Sequence, residues 1–311
     1  MKQKFIIFLA LSFILIIFLP SFWLPQTKIS SLEKVLPISL FGQLLEKKEK
    51  PITLIAVGDV MLGRSVNAKI RSLNNFIYPF LKTASFLKSA DLTFINLEAP
   101  FYDHCPTINE GMKFCADPRA VEGLVFAEID IVNLANNHIR NYGTEGVALT
   151  QSLLRQSKID FLSFEENFLV KVIQGTRLGF LGFDLTSGYQ EKKVITQVKE
   201  EKAKVNILIV SFHWGQEYAQ EPSPSQVKLA HQAVEAGADL IIGHHPHIIQ
   251  RVEDYQGAKI VYSLGNFVFD QAWSEETKKG LVGLFTFQNK KLIKSKFKKI
   301  YIQDFCQPEF K

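Results

Sequence analysis

At 311 residues the chain is long enough for one large domain or two small ones, and its 47% apolar and 22% charged residues are those of a folded protein. The net charge of +5, from 36 Lys and Arg against 31 Asp and Glu, is too mild to require a nucleic-acid partner, and none is expected. Part of the excess sits in "NKKLIKSKFKK" (residues 289–299), which reads as the solvated face of a strand.

The first segment stands apart from the fold. Two lysines fall in residues 1–4, and residues 5–27 carry no charge at all. A helix running from Phe5 through Leu24 is about 30 Å long, enough to cross a bilayer. The lysines ahead of it keep the N-terminus in the cytoplasm, and Trp23 falls at the far interface. Pro20, Phe22, Trp23 and Leu24 leave no small-x-small cleavage site. Residues 1–27 therefore read as an uncleaved signal anchor of a single-pass membrane protein, with a cleaved signal peptide as the alternative. Both place the remainder outside the cytoplasmic membrane. Residues 28–51, ending "LLEKKEKP", read as a linker, residues 52–305 as the folded domain and residues 306–311 as a tail.

Past Pro51 the chain alternates. "ITLIAVGD" (52–59) is a buried strand, residues 66–90 read as helical, and "DLTFINLE" (91–98) is a second strand. "PRAVEGLVFAEI" is a helix with Pro118 in its first turn, "DIVNLANNH" (130–138) a third strand and "TEGVALTQSLLRQS" a helix. Strands follow at "RLGFLGFD" and "VNILIVSFHWG", then a helix stopped by Gly237, then "DLIIGHH", "KIVYSLGNF", "GLVGLFTF" and "KLIKSKFKKIYI". The alternation implies an α/β domain, and the strand-rich second half implies a mixed sheet or two stacked sheets. Cys105 and Cys115 share a polar loop where an oxidising space allows a local disulfide, or two free thiols, and Cys306 is left over.

The ends of the strands carry the chemistry. The first ends in Gly58-Asp59, the second in Asn96-Leu97-Glu98 and the third in Asn136-Asn137-His138. "VNILIVSFHWG" delivers His213, and "DLIIGHHPH" delivers His245 and His247. A lone Asp after a strand is ordinarily a turn residue, and a lone His a hydrogen-bonded structural one. Five such ends together are different, because ionisable groups at the ends of core strands are costly unless they share a partner. Oxygen and imidazole donors without thiolates suit one or two divalent ions, Mn²⁺, Zn²⁺ or Fe²⁺.

Six stretches in this order, "AVGDVMLGR", "INLEAP", "LANNHIRNYG", "SFHWGQEY", "GHHPHIIQ" and "VYSLGNFVFD", resemble the CapA/PgsA family of capsule and poly-γ-glutamate synthesis proteins, which looks like a branch of the calcineurin-like metallophosphoesterases. The resemblance covers about residues 52–305. It implies a metallophosphatase-like four-layer αββα sandwich of two mixed β-sheets, and a two-metal site. Asp59 matches the first-strand aspartate ligand, Asn137 the asparagine ligand, His213 the single histidine ligand, and His245 and His247 the final pair. Asn96 and Glu98 stand where a bridging carboxylate is expected, and Glu98 is chosen because it carries charge. His138 matches a histidine that faces the leaving group without binding metal, while His244 lies outside the pair. One departure is Met61, which stands where the superfamily usually has a second ligand histidine and is a poor donor to such ions.

Arg64, just past the Asp59 turn, has a planar fork that suits a carboxylate or phosphate; an ordinary surface arginine is the alternative. The expected function is that of an anchored extracytoplasmic protein of capsule or poly-γ-glutamate synthesis or export, with a metal-dependent hydrolase-like site. Its expected partners are the membrane, an anionic polymer and other membrane subunits of polymer synthesis. A general metallophosphoesterase and a non-catalytic binding module are the alternatives.

Overall fold

The computed structural model describes residues 50–311. The expected anchor (1–27) and residues 28–49 of the expected linker lie outside them. Among the described residues no helix is long and apolar enough to cross a membrane.

The first half of the domain runs β1 (Ile52–Val60), α1 (Arg64–Ser72), α2 (Ala84–Leu87), β2 (Leu92–Leu97), α3 (Val121–Phe126), β3 (Ile131–Asn133), α4 (Gly143–Gln156), β4 (Asp160–Leu162), β5 (Phe168–Ile173) and β6 (Thr176–Asp184). The second half runs α5 (Glu191–Lys202), β7 (Ile207–His213), α6 (Pro224–Glu235), β8 (Leu240–His244), β9 (Val252–Tyr255), β10 (Ala258–Val261), β11 (Asn266–Val268), β12 (Lys279–Gln288), β13 (Lys291–Ile302) and β14 (Pro308–Phe310).

These strands form two sheets. One has the order β14-β13-β12-β1-β2-β3-β4, with β11 also on β1; the other has the order β5-β6-β7-β8-β10-β9. Both are mixed: β1 is parallel to β2 and antiparallel to β12, and β6 is parallel to β7 and antiparallel to β5. The apolar runs are continuous because both faces of the central strands are covered. In β1, Leu54 and Ala56 face the other sheet, where they share a core with Phe180, Ile209 and Ile242. Ile55 and Val57 face away and pack with Val66 and Ile70 of α1, Leu124 of α3 and Leu154 of α4. On the far side of the second sheet, Leu208 and Val210 of β7 pack with Val198 of α5 and Leu229 of α6. The result is the expected α-β-β-α layering, with three apolar interfaces.

Several local expectations are corrected. Residues 66–90 are helical in separate pieces: α1 ends at Ser72, Asn74 turns left-handed at φ 44°, and Pro79 sits in a short 3-10 turn before α2. The third strand stops at Asn133 rather than reaching His138, because Asn136 Oδ1 accepts the backbone N–H groups of His138 (3.2 Å) and Ile139 (3.1 Å) and rolls the chain into a turn. "KIVYSLGNF" is two strands in different sheets, β10 and β11, so the chain crosses the sandwich between them. The C-terminal tail carries β14, which pairs with β13. Cys105 and Cys115 are joined in a disulfide, and Cys306 is a buried free thiol. The lysines of β13 lie on its exposed positions.

Two glycines are demanded by close backbone approach at the strand ends. A Cβ on Gly58 would lie 2.1 Å from Gly265 O, and one on Gly243 would lie 1.9 Å from Tyr262 O. Both precede a side chain of the cluster described below, so the β10–β11 crossing is pressed against the two strands that build it. Gly243→Ala is expected to destabilise the fold by about 2–3 kcal/mol, since the obstruction is backbone rather than a movable side chain. Chemical denaturation of the two proteins measures the difference, and an unchanged midpoint would contradict the packing described.

Candidate metal centre

Each sheet brings a row of polar residues to the carboxyl ends of its parallel strands. In the first, Asp59 is level with Asn266 of β11 and Asn96 of β2, and Asn96 with Asn133 of β3. In the second, His213 of β7 is level with His244 of β8. The rows face each other across the end of the inter-sheet core. Asp59, Asn96, Glu98, His213, His244 and His247 are all at most 1% exposed.

Asp59 joins the two rows. Its Oδ1 accepts from His244 Nδ1 (2.8 Å) and Asn96 Nδ2 (3.0 Å). Its Oδ2 accepts from the backbone N–H of His245 (3.1 Å) and faces His247 Nδ1 at 3.3 Å. His245 and His247 adopt left-handed φ values of 93° and 59°. Such conformations cost about 1–3 kcal/mol each for non-glycine residues and persist where surrounding contacts enforce them. Here His245 delivers its N–H to the buried carboxylate. Burial pushes the Asp59 carboxyl up, but the bonds from His244 and His247 outweigh it and hold the group well below the usual range.

Glu98 has the opposite balance. Burial, followed by the charge of Asp59, raises its carboxyl well above the usual range. Its Oε1 accepts from Asn96 Nδ2 at 3.0 Å, while Oε2 is buried without a partner. His138 Nε2, His244 Nε2 and His245 Nδ1 are likewise buried and unpartnered. Buried polar atoms are ordinarily hydrogen-bonded, and the orphans on Glu98 and His245, each residue belonging to a group of three converging donors, point to a missing partner.

A divalent cation fits that place. Oxygens of Asp59 and Glu98 and a ring nitrogen of His247 lie within 4.8 Å of one another. His247 is already oriented for ligation. Asn266 donates its amide to Gln271 and Thr277, so its Oδ1 receives the His247 Nδ1 proton at 3.0 Å and Nε2 is left bare. Asn137 Oδ1 lies 2.9 Å from His213 Nε2, a separation that two ligands of one cation can keep at bond lengths of about 2.1 Å. Burial first, then the neighbouring His245, keeps His213 neutral, the form in which imidazole binds metal. The burial of His245 lowers it to about 4.

His138 stands at the edge. Its ring stacks on Phe114 at 4.0 Å between centroids. Asn141 Oδ1 accepts from the backbone N–H of Phe114 (2.7 Å) and lies 3.1 Å from His138 Nδ1, which fixes the proton of the neutral ring on Nδ1. Burial lowers this imidazole to about 4, so at neutral pH its Nε2 is a bare acceptor. Met61 is fully buried in an apolar wall with Ala99, Phe114 and Phe269, and its sulfur accepts from the Gly63 N–H at 3.0 Å. Arg64 is placed beside this wall rather than among the donors. It pairs with Asp270, donates to Gly111 O at 3.0 Å and lies 4.5 Å over the Phe114 ring.

The structure therefore gathers Asp59, Glu98, Asn137, His213, His245 and His247, with His138 next to them and Arg64 apart. Sequence reasoning undervalued His244 and Asn96, which hold Asp59 from the two sheets, and missed Glu217. A carboxylate oxygen of Glu217 lies within 4.8 Å of ring nitrogens of His245 and His247. Period-two spacing on β2 pairs Asn96 with Glu98, which was a usable signal. Glu217 lies in a turn and carries no such pattern.

Comparison with known proteins identifies the family. Residues 53–271 match the family model described as "Bacterial capsule synthesis protein PGA_cap". The chain is similar to the capsule biosynthesis protein CapA of Bacillus anthracis, at 30% identity over 302 residues, covering 88% of this chain and 71% of that protein. It is similar to the PGA biosynthesis protein CapA of Bacillus subtilis (strain 168), at 30% identity over 249 residues, covering 73% of this chain and 65% of that protein. The fold is shared with a hypothetical protein from Thermus thermophilus, at a TM-score of 0.55 and 15% identity, covering 80% of this chain and 98% of that one. With a family match over more than half its length and a relative at 30% identity, the chain belongs to the bacterial capsule synthesis (PGA_cap) family.

Proposed function

We propose that this protein is an anchored, extracytoplasmic accessory protein of capsular or poly-γ-glutamate polymer synthesis or export, with a metal-dependent hydrolase-like site of metallophosphatase type. The observation that carries the site is the convergence of buried donors, with Glu98 Oε2 and His245 Nδ1 left without partners. The capsule assignment is supported by family membership and by relatives named for capsule and PGA biosynthesis. The uncharged stretch at residues 5–27 supports the anchor, and the Cys105–Cys115 disulfide supports an oxidising compartment.

Asp59, Glu98, Asn137, His213, His245 and His247 would hold one or two divalent ions. Such an ion lowers the pKa of bound water and polarises an electrophilic oxygen. Asp59 keeps its ligand oxygens oriented through His244 and Asn96. His138 acts at Nε2, where its bare lone pair takes a proton before it can return one to a leaving group. The Arg64 charge lies near this ring and favours an anionic substrate, although Asp270 holds the fork itself. That pairing, together with Met61, favours a second reading in which the site binds a metal and an anionic polymer without turnover.

Three outcomes test these statements. The full chain loaded with Mn²⁺ is expected to melt at a higher temperature than in chelator and to cleave a model phosphodiester, with His138→Ala losing about 100-fold or more of the rate while keeping its metal. Bound metal with no turnover across Mn²⁺, Zn²⁺ and Fe²⁺ selects the binding reading; no bound metal at all refutes both. His244→Ala is expected to weaken metal affinity about 10–100-fold, the usual effect of removing a group that orients a ligand; isothermal titration measures it, and equal affinity would show that the Asp59 contact is dispensable. In a polymer-producing host, deletion of the gene is expected to reduce cell-surface anionic polymer, and unchanged polymer counts against the capsule assignment.

A further inference from the structure

The turn that follows β7 carries a carboxylate that the family resemblance does not place among the ligands. It leaves the sheet at Trp214, whose backbone N–H donates to His244 O (3.1 Å) and whose indole donates to Tyr262 O (3.0 Å). It returns at Tyr218, whose backbone N–H donates to Pro246 O at 2.8 Å. Gly215 (φ 84°) and Tyr218 (φ 63°) take the left-handed conformations that such a tight excursion needs. The turn is thus fastened at both ends to the backbone of "HHP", and Glu217 lies between the fastenings.

The half-buried carboxylate of Glu217 reaches the two histidines that end the β8 segment, with donor atoms of all three residues within 4.8 Å of one another. Its negative charge is felt at His245, at His138 and at Glu98. An independent observation points to a ligand there. His245 is only 7% exposed, and its Nδ1 is buried with no hydrogen-bond partner. A carboxylate oxygen beside unprotonated imidazole nitrogens is a donor set for a borderline divalent ion. Met61 withholds a donor from the cluster, and Glu217 adds both a donor and a third negative charge to those of Asp59 and Glu98.

We propose that Glu217 is a metal ligand, acting with His245 to bind a divalent cation beside the Asp59–Glu98–His247 position. This rests on the metal-binding reading given above. His247 can serve only one of the two positions, because its Nδ1 is bonded to Asn266 and Nε2 alone is left to bind. The inner position is closed by two fully buried carboxylates, whereas the outer one is bounded by a half-buried one. The inner cation is therefore the tightly held one, and the outer cation exchanges with solution. The substituted position is part-exposed and in a turn, so Glu217→Gln leaves the fold intact.

The test is metal stoichiometry rather than activity. The full chain is stripped with chelator, its melting temperature recorded, and then titrated with Mn²⁺ by calorimetry and by electron paramagnetic resonance. The wild type is expected to bind two equivalents of unequal affinity. Glu217→Gln is expected to keep the tighter one and weaken the other at least about 10-fold, the lower end of what even orienting residues cost. Glu217→Asp is expected to recover part of the loss, and Asp59→Asn to lose the tighter equivalent. A Glu217→Gln protein that titrates like the wild type overturns the assignment while leaving the metal reading of the site in place. A single equivalent that depends on Asp59 and not on Glu217 does the same. A wild type that binds no Mn²⁺ overturns both.

Discussion

His244 Nδ1 donates to Asp59 Oδ1 at 2.8 Å, and through this bond the two sheets meet chemically. Everything polar in the cluster is arranged around the carboxylate it holds. The bond reaches from the end of β8 in one sheet to the end of β1 in the other, so it joins the two rows of side chains across the end of the inter-sheet core. A buried imidazole–carboxylate bond of this kind contributes little net stability, because desolvation of the carboxylate offsets the attraction. Its effect is positional. With Asn96 on the same oxygen, it fixes the plane of the Asp59 carboxylate and presents the other oxygen to His245 and His247.

The same constraint explains why the cluster is unbalanced on its own. Asp59 has the hydrogen bonds to remain ionised and Glu98 does not, so Asp59's charge adds to burial in pushing the Glu98 carboxyl upward. Four unpartnered buried atoms around them represent desolvation that the protein alone does not offset. A divalent charge would reverse the direction at Glu98 and give the orphaned atoms of Glu98 and His245 a partner. A buried carboxylate held above its ordinary range beside a second, ionised one is a local conflict of the kind that functional sites carry.

Much of this was readable from sequence because the central strands are covered on both faces and so appear as unbroken apolar runs. Asp59, Glu98 and His213 then stand out as polar residues just where those runs stop. The alternation of runs and helical stretches implied an α/β domain with a mixed sheet or two stacked sheets, and the four layers were implied by the family resemblance. What was hidden depends on contacts between distant segments. "KIVYSLGNF" reads as one strand because no local signal shows that Tyr262–Gly265 crosses between sheets. Residues 66–90 read as helical throughout because the apolar spacing persists across the breaks at Asn74 and Pro79. His244 looked incidental because its partner is 185 positions away in sequence. Glu217 was invisible as a donor because a charged residue in a turn is, by pattern alone, a solvated one.

The disulfide-closed loop gives the edge of the site its character. Cys105 and Cys115 bracket a polar excursion, and Phe114, immediately inside the bridge, is only 1% exposed. Its ring lies against His138, Arg64 and Phe269, and its backbone N–H occupies the Asn141 oxygen that receives the His138 proton. Gly111 of the same loop accepts from Arg64. One tethered segment thus sets the tautomer of the imidazole, the position of the guanidinium and, with Met61, the dryness of the wall between them. A wall of Met61, Phe114 and Phe269 strengthens electrostatic interactions beside it, because low-dielectric surroundings screen less. At Met61 the chain has apolar surface, while the polar atoms of the cluster come from His213 at the end of β7, from His245 and His247 just past β8, and from the turn that carries Glu217.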